Sequence, residues 1–143
     1  MARPPGPTPP ELVAYYRFED AQNPLVLDGS IYAHHGTPSA GVQRGISGRY
    51  CNGVRFDGNL SNIDVPSSAA LDITGDITIE AWVFLDVPVS YNRMLVRKYL
   101  QYQMSVSVVP QPNLLEFYSQ PLGFARTPTP VDFGKWIHAA VTH

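Results

Sequence analysis

The stretch "ITIEAWVFL" at residues 77–85 limits what this chain can fold into more than any other. Its apolar residues recur at every second position. Ile77, Ile79, Ala81, Val83 and Leu85 fall on one face of an extended strand, and Thr78, Glu80, Trp82 and Phe84 on the other. Its content of β-branched and aromatic residues suits a pleated surface. The same period returns in "QYQMSVSVV" (101–109), where Tyr102, Met104, Val106 and Val108 are expected to point inward and Gln101, Gln103, Ser105 and Ser107 outward. It returns again in "GKWIHAAVTH" (134–143), with Ile137, Ala139 and Val141 on one face and Trp136, His138, Ala140 and Thr142 on the other. Nothing between Leu12 and His143 carries a sustained helical period.

The remaining segments read as short strands set apart by Gly, Pro, Asn and Asp. "LVAYYRF" (12–18) presents Leu12, Ala14, Tyr16 and Phe18 on one face. "DGS" (28–30) and "HHGTP" (34–38) mark turns around a short, weak strand. "GVRF" and "NIDV" flank Asp57-Gly58, a hairpin-type signal. "RMLVRK" (93–98) and "NLLEFYS" (113–119) complete the set. Many short strands at regular turn spacing imply an all-β sandwich or barrel, and no internal repeat suggests a propeller or solenoid.

A length of 143 residues suits one domain with a real core. Hydrophobic residues at 44% against charged residues at 15% fit a packed chain, not a disordered one. Five of the fourteen prolines lie within the first ten residues, so residues 1–11 read as a polyproline-like tail and 12–143 as the folded domain. A net charge of −2, with basic residues scattered and their closest cluster at Arg93, Arg97 and Lys98, argues against nucleic acid or an anionic membrane as partner. Cys51 stands alone, which removes an internal disulfide framework and suggests a small buried hydrophobe. There is no apolar run long enough to span a bilayer, and "MARPPGPTPPE" lacks the apolar region of a secretion signal.

No P-loop, dinucleotide fingerprint or nucleophile elbow occurs, and Ser, His and Asp show no spacing that singles out a triad. A glycosidase needs two carboxyls ~5–9.5 Å apart. No acidic pair has i, i+2 spacing, and the nearest same-face pair, Asp76 and Glu80, would lie ~13 Å apart on a straight strand. His34 and His35 are adjacent and would face opposite ways on a strand, so they read as an exposed turn instead of a zinc site.

Five motifs then fall in a recognisable order: "LVAYYRFED", "DGSIYAHHGT", "GVRFDG", "IDVPSSAALDITGDITIEAWV" and "GKWIHAAVT". Together they resemble the laminin-G-like domains of the concanavalin A-like lectin/glucanase superfamily over residues 12 to 142. The resemblance implies a concanavalin A-like jelly-roll β-sandwich, in which His138 is the structural histidine of a "W-x-H" strand. Independently of it, Trp82 and Trp136 bring large apolar areas that can fill the space between two sheets ~10 Å apart. Tyr16 stands where relatives often carry Trp, and His143 where they continue toward further strands. A sandwich lacking its last strands leaves open edges, and the expected cover is a homodimer joined through those edges.

The resemblance also implies ligands. Many similar domains hold a calcium ion at a sandwich edge, and Glu19, Asp28 and Asp57 occupy acidic positions of the matching motifs, with the oxygen chemistry calcium favours. Carbohydrate or protein binding is the activity implied most often. The loop "DVPVSYNR" (86–93) offers Tyr91, Asn92 and Arg93 as ligand-binding residues, one ring for stacking beside two hydrogen-bonding neighbours. The expectation is a non-catalytic binding module for a glycan or a protein surface. A self-assembly protein is the alternative, and a β-glucan hydrolase is less favoured. The location would be extracellular if the chain is a piece of a longer protein.

Overall fold

The computed structural model describes residues 12–87, 91–108, 113–120 and 122–143. The expected tail at 1–11 and part of the 86–93 loop lie outside them. The chain is all-β with antiparallel strands, and it divides into two compact units, Met1–Leu71 and Asp72–His143. Among the described residues no helix is long and apolar enough to cross a membrane.

The first unit carries β1 (Thr37–Pro38), β2 (Val42–Ser47), β3 (Asn52–Phe56), β4 (Ile63–Asp64) and a 3-10 turn at Ala69–Leu71. β2 pairs with β3 as a hairpin, and β1 pairs with β4. Both pairings differ from expectation. Gly58 does adopt a positive φ of 74°, as the Asp57-Gly58 signal requires, but β3 and β4 on its two sides do not pair with each other. β2 was not anticipated. Its Gln43, Arg44 and Gly45 disguise the strand, although it is half-buried at alternate positions, and its register shifts between Arg44 and Ile46, where Gly45 has φ 71°. Gly48 closes the hairpin against the backbone of Asn52, where a side chain would not fit.

The expected first strand is likewise absent. Ala14, Tyr16 and Phe18 are half-buried and Tyr15 and Arg17 exposed, so the alternation is real. The segment makes only a single bridge, Tyr16 with Asp28, and Phe18 turns to φ 60°, which ends the extended run. The expected short strand at 31–33 is a turn, and Val26 and Gly36 instead exchange N–H···O bonds of 2.8 Å across it. Cys51 is exposed in the β2–β3 turn and does not join a core.

Arg44 ties loop 20–25 to β2. Its guanidinium donates to the carbonyls of Asn23 (2.5 Å), Asp20 (2.6 Å) and Leu25 (2.9 Å), and it pairs with the Asp20 carboxylate at 3.3 Å. A planar fork serves several carbonyls at once, which an ammonium cannot reproduce. Arg44→Lys is expected to lower stability by about 1–3 kcal/mol, and a urea titration reads it directly. A change within experimental error would remove Arg44 from the structural account.

In the second unit, β5 (Thr78–Phe84) pairs with β10 (Trp136–Thr142), and β6 (Arg93–Lys98), β7 (Tyr102–Ser107), β8 (Leu114–Ser119) and β9 (Gly123–Arg126) form a four-stranded meander. Ile79 and Ala139 from the first sheet pack with Tyr102, Met104 and Phe117 from the second, and this cluster is the unit's core. Ile77, Ala81, Val83 and Val141 lean on it, as the alternation of β5 and β10 implies. Asp72 fastens the segment leading into β5 through Lys98 Nζ at 3.1 Å and Gln101 Nε2 at 3.0 Å.

Two expectations about faces fail here. Ser105 and Ser107 are buried, not outward, because the second face of β7 is also closed. On that face Ser105 stands opposite Glu116, which is itself buried and accepts from Arg126 Nε at 2.6 Å. The other correction concerns tryptophan. Trp82 lies outside the core cluster and is 41% exposed, so it does not fill the space between sheets.

Candidate functional site

The face of β5 and β10 opposite the core carries a row of aromatic rings. Alternation puts Glu80, Trp82 and Phe84 together on β5, and antiparallel register sets His138 against Trp82 and Trp136 against Phe84. The Trp82 and His138 rings lie 5.1 Å apart at 42°, and Phe84 meets Trp136 at 5.7 Å nearly edge-on. Cross-strand contacts of this kind hold each ring in place. Phe84 is 41% exposed, like Trp82, so the row is partly open while Trp136 is half-buried. Polar groups border it. His138 Nε2 stands 3.5 Å from Glu80 Oε2, with the Glu80 side chain largely in solvent and that of His138 partly so.

The loop residues singled out from the sequence behave differently. Asn92 Oδ1 accepts from the Val108 backbone N–H at 3.0 Å, which clips the start of β6 to the end of β7. The Arg93 guanidinium lies 3.9 Å from the centre of the Tyr91 ring and covers one of its faces. Tyr91 is half in solvent and stacked on that arginine.

Comparison with known proteins adds no relative. No family model, curated protein or solved structure matches this chain. The function therefore rests on the residues alone.

The three acids expected at a calcium site are engaged separately. Asp28 is enclosed, and its carboxylate accepts from Tyr15 N–H (2.7 Å), Ser30 N–H (2.9 Å), the Ser30 hydroxyl (2.6 Å) and His34 N–H (2.8 Å). Burial pushes its pKa up, but these donors outweigh it and hold the carboxyl below its ordinary value of 3.8. Asp57 accepts from Asn59 N–H at 2.9 Å, and Ser61 together with that N–H keeps its pKa low. Glu19 receives the Asn52 N–H at 3.3 Å. Among the described residues no group of three or more His, Cys, Asp or Glu is placed to hold a metal ion. Asp28 works instead as the acceptor around which residues 13–34 are folded.

Of all these residues, the sequence reading missed the aromatic row as a site because it assigned the tryptophans to the interior. The signal was present in the alternation, which already separated Trp82 and Phe84 from the apolar face. His34 and His35 were read as an exposed turn. Both are half-buried, and each ring is bonded: His34 Nδ1 to Val13 O at 2.9 Å and His35 Nδ1 to the Asp28 N–H at 3.0 Å.

Proposed function

We propose that this protein is a carbohydrate-binding module of the laminin-G-like, concanavalin A-like kind, and that its second unit holds sugar on the outer face of β5 and β10. The in-register row of Trp82, Phe84, Trp136 and His138 carries the reading. A sugar ring offers an apolar C–H face and a rim of hydroxyls. An aromatic row bordered by a carboxylate and an imidazole complements both, through stacking over the rings and hydrogen bonds to Glu80 and His138. The solvated Glu80–His138 pair favours such a ligand over a dry protein surface. The antiparallel strands and the two-sheet core of Asp72–His143 support the sandwich half of the reading.

Screening the chain on a glycan array, followed by calorimetric titration of the best ligand, tests this. Trp82→Ala is expected to weaken binding by about tenfold to thirtyfold, equivalent to ~1.4–2 kcal/mol. Tyr91→Ala should change it by less than about twofold. No saturable binding, or binding lost with Tyr91 but not with Trp82, would sink the assignment.

A second reading has its own observation. β5 and β10 form a two-stranded sheet, so each has an outer edge without a ladder partner among the described residues. Open edges recruit strands, which supports a homodimer. A discrete dimer mass by light scattering, coupled with no affinity for any glycan, would favour self-assembly over sugar binding.

A further inference from the structure

A pocket of about 350 Å³ in the first unit is lined by Leu25, Ala33, His34, His35, Thr37, Pro66, Ser67 and Ser68, and none of the residues named for sugar binding belongs to it. Ser68 and His34 meet there across 34 positions of sequence, with Ser68 Oγ 2.6 Å from His34 Nε2. The other ring nitrogen fixes the direction of that bond. His34 Nδ1 donates to the Val13 carbonyl at 2.9 Å, so the hydrogen sits on Nδ1 and the lone pair on Nε2 accepts from the serine hydroxyl. Asp28 Oδ2 lies 3.9 Å from the same Nδ1. The His34 side chain is 10% exposed and that of Asp28 not at all. Tyr32 stacks on the imidazole nearly parallel, at 5.5 Å.

From these contacts we infer that Ser68 is an activated nucleophile, with His34 as its general base, and that the pocket takes short-chain acyl esters. Base and nucleophile within hydrogen-bond reach, the base oriented by a third group, is the arrangement that acyl transfer requires. Asp28 is a positioning residue, whose enclosed negative charge stabilises the imidazolium as it forms. His35 lines the same pocket and is the candidate oxyanion donor within this proposal. Its Nδ1 accepts the Asp28 N–H, so in the neutral ring the hydrogen is carried on Nε2. Leu25, Ala33 and Pro66 give the wall an apolar part suited to a small acyl chain.

The step balances with water as the only co-reactant. Ser68 Oγ bonds to the ester carbonyl carbon while its proton passes to His34 Nε2. The tetrahedral intermediate then breaks its bond to the alkoxide, which leaves as the alcohol with that proton. Water next gives a proton to His34 Nε2 and attacks the acyl carbon. The acid is released as the Ser68 oxygen regains the proton.

The test treats the whole chain with a fluorophosphonate and locates the adduct by peptide mass spectrometry, in parallel with turnover of p-nitrophenyl acetate. One adduct on Ser68 is expected, with turnover lost by about 100-fold or more in Ser68→Ala and in His34→Gln. Ser47→Ala, in β2, should stay within about twofold of the wild type. Should His34→Gln fail to fold, the adduct position and Ser68→Ala decide alone. Absence of an adduct at Ser68, equal labelling of many serines, or full turnover in Ser68→Ala overturns the inference. Loss of sugar binding would not affect this result, since Trp82 and its neighbours belong to the other unit.

Discussion

Asp28→Ala is expected to cost the first unit about 3–5 kcal/mol, a large share of the 5–15 kcal/mol typical of a whole domain. The carboxylate accepts three backbone N–H groups and one hydroxyl inside the fold. Removing it leaves those donors with no acceptor, and each unmet buried donor costs about 1–3 kcal/mol before water or rearrangement recovers part. Asp28→Asn should cost less, because one carbonyl oxygen survives, but its NH2 group is then turned on Ser30 or His34. Chemical denaturation of both variants, with hydrogen exchange at Tyr15, Ser30 and His34, separates the two effects. A loss below about 1 kcal/mol in the alanine variant would mean the cage contributes little.

The same carboxylate sets an acid limit. Its folded pKa is depressed below 3.8, while in the unfolded chain it titrates near ~3.9. The unfolded state therefore binds the proton first as pH falls. The contribution of Asp28 is fully present above about pH 4 and is lost as the pH drops through the folded value. Asp28→Asn should lack this part of the acid transition.

Met104→Ala should cost the second unit about 2–5 kcal/mol. Met104 is fully buried among Ile79, Tyr102, Phe117 and Ala139, so truncation opens a cavity at the junction of the two sheets. Met104→Leu, close in volume, should lose less than about 1.5 kcal/mol. Met94→Ala provides the contrast, because Met94 is 43% exposed and should shift stability by about 0.5 kcal/mol or less. Equal losses at positions 94 and 104 would show that the core lies elsewhere.

How much of this could be read from the residues depended on what each signal encodes. A period of two reports which side chains share a face, and it placed Ile79, Ala81 and Ala139 correctly. It does not report what covers the opposite face, so Ser105 and Ser107 were expected in solvent and Trp82 in the core. Turn chemistry was equally local. Gly58 has the left-handed backbone its motif requires, yet β3 pairs backward with β2 and β4 pairs with β1 across the whole β2–β3 hairpin. The first strand failed for a related reason, since the Asp28 side chain takes the Tyr15 N–H that a ladder would use. β9 was too short to stand out as "GFAR". The meeting of Ser68 with His34 leaves no trace in local spacing at all.

The pairing of β5 with β10 has a consequence for how the chain is made. Thr78 and Thr142 face each other across 64 positions, whereas each of β6 to β9 pairs with its neighbour in sequence. The meander can form as soon as it leaves the ribosome, but β5 must wait for β10 before its own ladder closes. During that interval Ile79 and its neighbours have only half their cover, and slow synthesis through residues 120–142 should be when a nascent chain most needs a chaperone.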